Sequence, residues 1–321
     1  MLPPLILYLN IFMNYLILTP DGVGSTILQR LLTIALHVEN QDVTNTHELT
    51  NGLELKNGIA VKNFTFDYSQ NLGQISTILQ NSNPQTTLVS RLAKYHMDAR
   101  KDPSKDATAF HEFLNSFFTK KVMCVRKNIF EYAMSWSIRK KSGVLNVYNQ
   151  EDRYKVLGVS EVDESYFIEK CQEYVKYIEW TETNFPEAQQ ISYEDMMTNS
   201  DSVIEELTGH KETFTKKFGM PLTSLIKSEY EYFNSRTKDQ CQNTLANEEA
   251  KALVKYRRAC NKMIEQNIIM NVPLKNTTLI DKKTQIKNFD VCLDKFYNFA
   301  KNHNWIDQST ATYDFWNKTH L

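Results

Sequence analysis

Four clusters of residues in this sequence have types and spacing suited to chemistry on an anion. The first is Pro20-Asp21-Gly22-Val23-Gly24-Ser25-Thr26, set between an apolar run, Tyr15 to Leu18, and an amphipathic stretch, Ser25 to His37. A turn that leads from a buried strand into a helix leaves free N–H groups at the positive end of the helix dipole. Gly22 and Gly24 let the backbone curl without a Cβ in the way, and Ser25 and Thr26 add hydroxyl donors. Gly22, Val23, Gly24, Ser25 and Thr26 therefore form a candidate anion cradle. The same residues also read as an ordinary turn in which Ser25 or Thr26 caps the helix. No Lys precedes Ser25, so G-x-x-x-x-G-K-[ST] is not met and a magnesium-loaded nucleotide hydrolase is disfavoured.

The second cluster is "VMCVRKNIFEYAMSW", Val122 to Trp136. A buried strand runs into Arg126 and Lys127, and a helix then carries Ser135. Cations at the C-terminal end of a strand lie on the ligand edge of an open α/β sheet. A cation with a hydroxyl is what a terminal phosphate needs; a solvated charge pair with a buried Ser is the plainer alternative. In the third, "LVSRLAKYH", a strand delivers Arg91, Lys94 and His96. His96 is a proton acceptor near neutral pH and Lys94 a charge stabiliser. The fourth, "ISYEDMM", brings Tyr193, Glu194 and Asp195 to a strand end. Its carboxylates orient neighbours, or Asp195 caps a helix.

These clusters require strands that deliver them to one edge. "YLIL", "TTLVSRLA", "KVMCVR" and "AQQISYEDM" read as strands, and Ser25–His37, Ala107–Phe118, Ile129–Lys141 and Glu164–Phe185 as helices. "ENQDVTNTHELTNG" is polar and reads as a loop, with Ile75 to Leu79 as a turn of helix. Strands alternating with helices predict an α/β fold, a central parallel sheet flanked by helices. Beyond about Ser200 the sequence is helical without a clear strand. The expected organisation is an extension over 1–12, an α/β core over 13–215 and a helical C-terminal extension over 216–321. "MLPPLILYLNIF" is too short to span a bilayer, and Met13 is the expected natural start.

The formal charge of −1 gives no general attraction to nucleic acid. The five cysteines are scattered without a C-x-x-C, which argues against a zinc site or a disulfide framework and for a reducing, cytoplasmic setting. The sequons at Asn63, Asn276 and Asn317 then have no role. Neither a membrane partner nor a metal is expected.

In this order the four clusters resemble those of the sulfotransferases that use 3′-phosphoadenosine 5′-phosphosulfate, over roughly Asn14 to Asn199, and are similar to those of sulfotransferase-like proteins of marine bacteriophages. The resemblance implies the P-loop-like α/β fold of that family. It implies a cradle for the 5′-phosphosulfate at Gly24, Ser25 and Thr26. A grip on the 3′-phosphate would come from Lys127 and Ser135 with Arg126 beside them, and Tyr193 would lie near the adenine nucleotide. His96 would be the base with Lys94 beside it. Glu48, on the loop after the first helix and next to His47, would be the base if the chain follows other branches. The acceptor would be a hydroxyl or amine on a small molecule, glycan or protein, in a pocket shaped partly by Lys140 to Gly158, where Asn146 and Tyr148 can hydrogen-bond. The departure is Gly22, where the family carries a Lys or Arg in the turn. Loss of one such charge costs ~10²–10³ in rate. Arg91 or Lys94 would have to reach the sulfuryl group, or the chain is a slow enzyme or a nucleotide- or glycan-binding module without turnover. A small-molecule kinase is a third reading, disfavoured by the absent turn Lys.

Overall fold

The computed structural model describes residues 13–20, 22–62, 70–94, 107–144, 150–234, 247–266, 268–269 and 282–303. His96, Asn146, Tyr148, the three sequons and residues 1–12 lie outside the described residues.

A five-stranded sheet forms the centre: β1 (Tyr15–Thr19), β2 (Val43–Glu48), β5 (Thr87–Ala93), β6 (Lys120–Val125) and β7 (Gln189–Ser192), in the order β2-β5-β1-β6-β7. Every pairing in it is parallel. The strands buried on both faces are continuous apolar runs, as a sheet covered by helices demands; every residue of β1 is buried. A hairpin of β3 (Leu53–Lys56) and β4 (Ile59–Lys62) lies beside β2.

Helices cover both faces. α1 (Ser25–Val38), α4 (Ile129–Ser142) and α6 (Glu164–Asn184) bury Leu28, Leu31, Ala133, Ile138, Phe167 and Cys171 in one cluster with Tyr15, Ile17 and Val122. α2 (Leu72–Gln80) and α3 (Ala107–Phe117) pack Ile75, Leu79, Phe110 and Leu114 on the opposite face against Leu16, Leu18 and Leu92. α5 (Gln150–Leu157) follows α4. After β7 come α7 (Tyr193–Thr198), α8 (Ser200–Thr208), α9 (Thr213–Phe218), α10 (Leu222–Asn234), α11 (Asn247–Glu265), α12 (Lys282–Gln285) and α13 (Phe289–Asn302). Leu225, Tyr256 and Phe296 of these helices join the α1–α4–α6 cluster. The buried pair Arg30–Glu229, at 3.4 Å, ties α10 to α1, and burial pushes the Glu229 carboxyl up despite Arg30 and Arg257. No helix among the described residues is long and apolar enough to cross a membrane.

Two local expectations are corrected. "VTNTHE" is a strand, not a loop: its alternate polar residues Thr44, Thr46 and Glu48 are buried because β5 pairs with them. Tertiary pairing overrides the weak strand pattern of a polar edge strand. Tyr193-Glu194-Asp195 opens α7 rather than ending β7, with Ser192 as the N-cap accepting from the Asp195 N–H.

Candidate functional site

Because the sheet is parallel, Thr19, Glu48, Ala93, Val125 and Ser192 all end at one edge. From β1 the chain crosses to β2 on one side, and from β6 it crosses to β7 on the other. The crevice of such a sheet lies where those connections diverge, outside the ends of β1 and β6. The turn before α1 and the residues around Arg126 meet there.

The turn has the backbone that its glycines permit: φ is 74° at Gly22 and 79° at Gly24, and α1 opens without a side-chain cap. Ser25 and Thr26 are therefore not used as caps, and their hydroxyls face Arg91 instead. Arg91 Nη1 donates to Thr26 Oγ1 at 2.5 Å and approaches Ser25 Oγ at 3.5 Å. Thr19 at the end of β1 also donates to Ser25 Oγ, at 3.0 Å. A guanidinium from the neighbouring strand thus stands at the first turn of α1, adding positive charge to the helix terminus.

Glu48 explains how Arg91 is held. Its carboxylate is fully buried; Oε2 accepts from Arg91 Nε at 3.0 Å and Oε1 from the Ala93 N–H at 2.9 Å. A bulge between Asn45 and His47, with His47 at φ 59°, sets Glu48 opposite Arg91. Glu48 lies at the end of β2, not on a loop, and both oxygens are engaged. Its place suits orienting Arg91 rather than taking a proton from an acceptor. Lys94 directly follows β5, partly buried, at the same edge.

Across the crevice, the motif Tyr193-Glu194-Asp195 divides its work. Tyr193 covers Gly24 so closely that a Cβ there would lie 2.6 Å from Tyr193 Cδ2. Glu194 accepts from the Lys127 and Asn128 N–H groups at 3.0 and 3.3 Å. Asp195 pairs with the Lys127 ammonium at 2.7 Å. Burial pushes the Asp195 carboxyl up, but Lys127 and the Ser192 hydroxyl outweigh it and hold it below its ordinary value. Arg126 is pinned through its backbone by the Tyr174 hydroxyl, at 2.6 and 3.0 Å, and its guanidinium carbon lies 5.2 Å from the Tyr193 ring centre.

Of the two residues expected to grip the 3′-phosphate, Lys127 pairs with Asp195 and Ser135 accepts from Lys282 Nζ at 2.9 Å. Lys282 also pairs with Glu131. Burial depresses the Lys282 amine; Glu131 opposes this, and Arg126 and Arg139 add to it. Arg126, Arg139 and Lys282 are thus electrostatically coupled cations around the Ser135 hydroxyl, with Glu131 paired to Lys282 and Glu194 3.9 Å from Arg126 Nε as counter-charges. Arg139 stacks on Trp136 at 5.1 Å. A Cβ on Gly22 would lie 3.0 Å from Trp136 Nε1 and 3.5 Å from Arg139 Nη1.

Lys282, Trp136 and Arg139 were missed in the sequence. Arg139 lies four residues after Ser135 and three after Trp136, a signal open to helical spacing. Lys282 comes from 147 residues beyond Ser135, and its doublet with Lys283 carries no pattern. A shallow cavity of about 330 Å³, lined by Asn14, Ser82, Asn83 and Leu88 among others, opens at the opposite edge of the sheet and holds no ionisable side chain. The arrangement at the crevice can seat two anionic groups, one at the turn with Arg91 and one at the Arg126–Ser135–Lys282 group. No protein-family model, curated protein or solved structure matches this chain.

Proposed function

We propose that this chain is a sulfotransferase, moving a sulfuryl group from 3′-phosphoadenosine 5′-phosphosulfate to a hydroxyl or amine acceptor on a small molecule, glycan or protein. The carrying observation is Arg91 donating to the Ser25 and Thr26 hydroxyls, with a second cationic group at Arg126, Ser135 and Lys282 across the same crevice. The donor set fits a nucleotide with anionic groups at both ends. A fold of the sulfotransferase type and cytoplasmic residence belong to the same proposal.

In this reading Gly22, Val23, Gly24, Ser25 and Thr26 hold the 5′ group. Arg91 neutralises charge there, kept in place by Glu48. Arg126, Ser135 and Lys282 hold the 3′-phosphate, and Tyr193 lies beside the nucleotide. The bound nucleotide supplies the activated sulfuryl group. Lys94 adds charge at the transfer edge, and His96 takes the acceptor proton. Fixed cations at the place where charge develops are worth several kcal/mol of barrier, roughly 3–4 per donor.

Calorimetric titration with adenosine 3′,5′-bisphosphate, followed by assay of sulfuryl transfer to hydroxyl and amine acceptors, tests the proposal. Binding lost in Arg91→Ala and Ser135→Ala, with transfer by the intact chain, is the expected result. A second reading, nucleotide binding without turnover, draws on Gly22, which gives the turn no side-chain cation. Tight binding with no transfer to any acceptor would favour it.

A further inference from the structure

We infer that Arg139 and the indole N–H of Trp136, both on α4, complete the turn as an oxyanion cradle by standing where a side chain of residue 22 would begin. The inference rests on the reading above that the turn seats a phosphate or sulfate group.

Gly22 sits at φ 74°, a conformation that a side chain strains, and its missing Cβ would meet Trp136 Nε1 at 3.0 Å and Arg139 Nη1 at 3.5 Å. The space that a turn cation would use is thus taken by two groups that only donate. Neither an indole N–H nor a guanidinium can accept a hydrogen bond, so both select for an acceptor. Trp136 Nε1 is buried and has no hydrogen-bond partner among the described residues. This nitrogen lies against the turn at Gly22, and a buried donor without a partner is one that a ligand oxygen can satisfy. Arg139 is stacked on the same indole at 5.1 Å, which fixes the guanidinium plane beside it. Arg139 also disfavours the ammonium form of the Lys282 amine, so the two cations feel one another. Gly22 is then not a lost cation. The charge has moved from the turn to α4, and glycine is the residue that leaves room for it. Ser135 and Arg139 are four residues apart, so one helix face serves both ends of the ligand.

The test uses the full chain and two probes, inorganic pyrophosphate and adenosine 3′,5′-bisphosphate, followed by calorimetry and by tryptophan emission. Trp136→Phe assigns the emission signal, and Arg139→Gln accompanies Arg139→Ala so that one near-isosteric variant keeps the fold, checked by circular dichroism. The expected result is pyrophosphate binding by the intact chain with an emission change. Both Arg139 variants weaken it about tenfold, and Trp136→Phe abolishes the emission change and weakens binding about threefold. Folded Arg139 variants that bind pyrophosphate as the intact chain does would overturn the inference and leave the proposed function standing. A nucleotide that binds no more tightly than pyrophosphate would overturn the nucleotide reading and leave the inference standing. Failure of the intact chain to bind either probe would overturn both.

Discussion

Arg91, on the strand beside β1, donates from Nη1 to Thr26 Oγ1 in the first turn of α1. The two residues are 65 apart in sequence and come together because β5 is the immediate parallel neighbour of β1, with Ile17 opposite Arg91. A turn without a basic side chain of its own is thereby given a guanidinium.

The Arg91–Glu48 pair carries a stability prediction. Glu48 is fully buried and Arg91 nearly so. Removing one partner leaves an uncompensated buried charge, at a cost of about 3–5 kcal/mol. Arg91→Ala is expected to lower the unfolding free energy by that amount, read from the shifted midpoint of denaturant unfolding. The double variant Arg91→Met, Glu48→Leu should recover most of it, because apolar replacement of a buried pair is near neutral. The double variant should still fail to bind nucleotide, which separates the structural from the functional role.

Gly24→Ala should be damaging through its backbone and through its neighbours. The backbone is left-handed there, at φ 79°, and the new Cβ would lie 2.6 Å from Tyr193 Cδ2. The first costs about 1–2 kcal/mol, and the second displaces Tyr193. Thermal unfolding together with nucleotide titration checks this. Gly24→Ala combined with Tyr193→Ala should regain part of the stability, the 2.8 Å approach to Met196 Cε remaining, and binding should stay weak.

Ser135 and Lys127 should behave differently. The Lys127–Asp195 pair is 42% and 50% exposed, so Lys127→Ala should change stability by no more than about 1 kcal/mol and affinity only about twofold. Ser135→Ala removes a hydroxyl that Lys282 uses, and should weaken nucleotide binding about tenfold. Equal effects of the two would restore the grip expected from spacing.

Lys282 gives a pH prediction. Its amine is held below the ordinary lysine value by burial, with Glu131 opposing and Arg126 and Arg139 reinforcing. An anion seated beside it favours the ammonium form, so binding raises that depressed value. Affinity should hold while Lys282 is protonated in the free chain and fall as pH rises through its free value, below the usual 10.5. Folding carries the opposite sign: the cost of the buried ammonium is fully present below its folded value and diminishes as pH rises from there toward 10.5. Lys282→Arg, which does not titrate there, should flatten the affinity profile.

Much of the scaffold was legible because its strands are apolar. "YLILT" and "KKVMCV" are buried on both faces and needed no partner to be read as strands. β2 was not legible, since Thr44, Thr46 and Glu48 gain their burial only from pairing with β5. At the site, Gly22 to Thr26 and Arg126 follow from local sequence. The Glu48–Arg91 and Lys282–Ser135 contacts do not, because each depends on the sheet or on the packing of the C-terminal helices. Spacing alone offered Lys127 with Ser135, and it could not reveal that Lys127 pairs with Asp195. Gly22 read in isolation as a deficit; only the positions of Trp136 and Arg139 show what fills its place.

The central claim, a crevice built for a nucleotide with two anionic ends, is tested most directly by calorimetric titration of the intact chain with adenosine 3′,5′-bisphosphate and, in parallel, adenosine 5′-monophosphate. The account predicts one-to-one binding of the bisphosphate in the micromolar range, at least about tenfold tighter than the monophosphate, with the difference erased by Ser135→Ala. A folded chain that binds neither, or binds both equally, would contradict it.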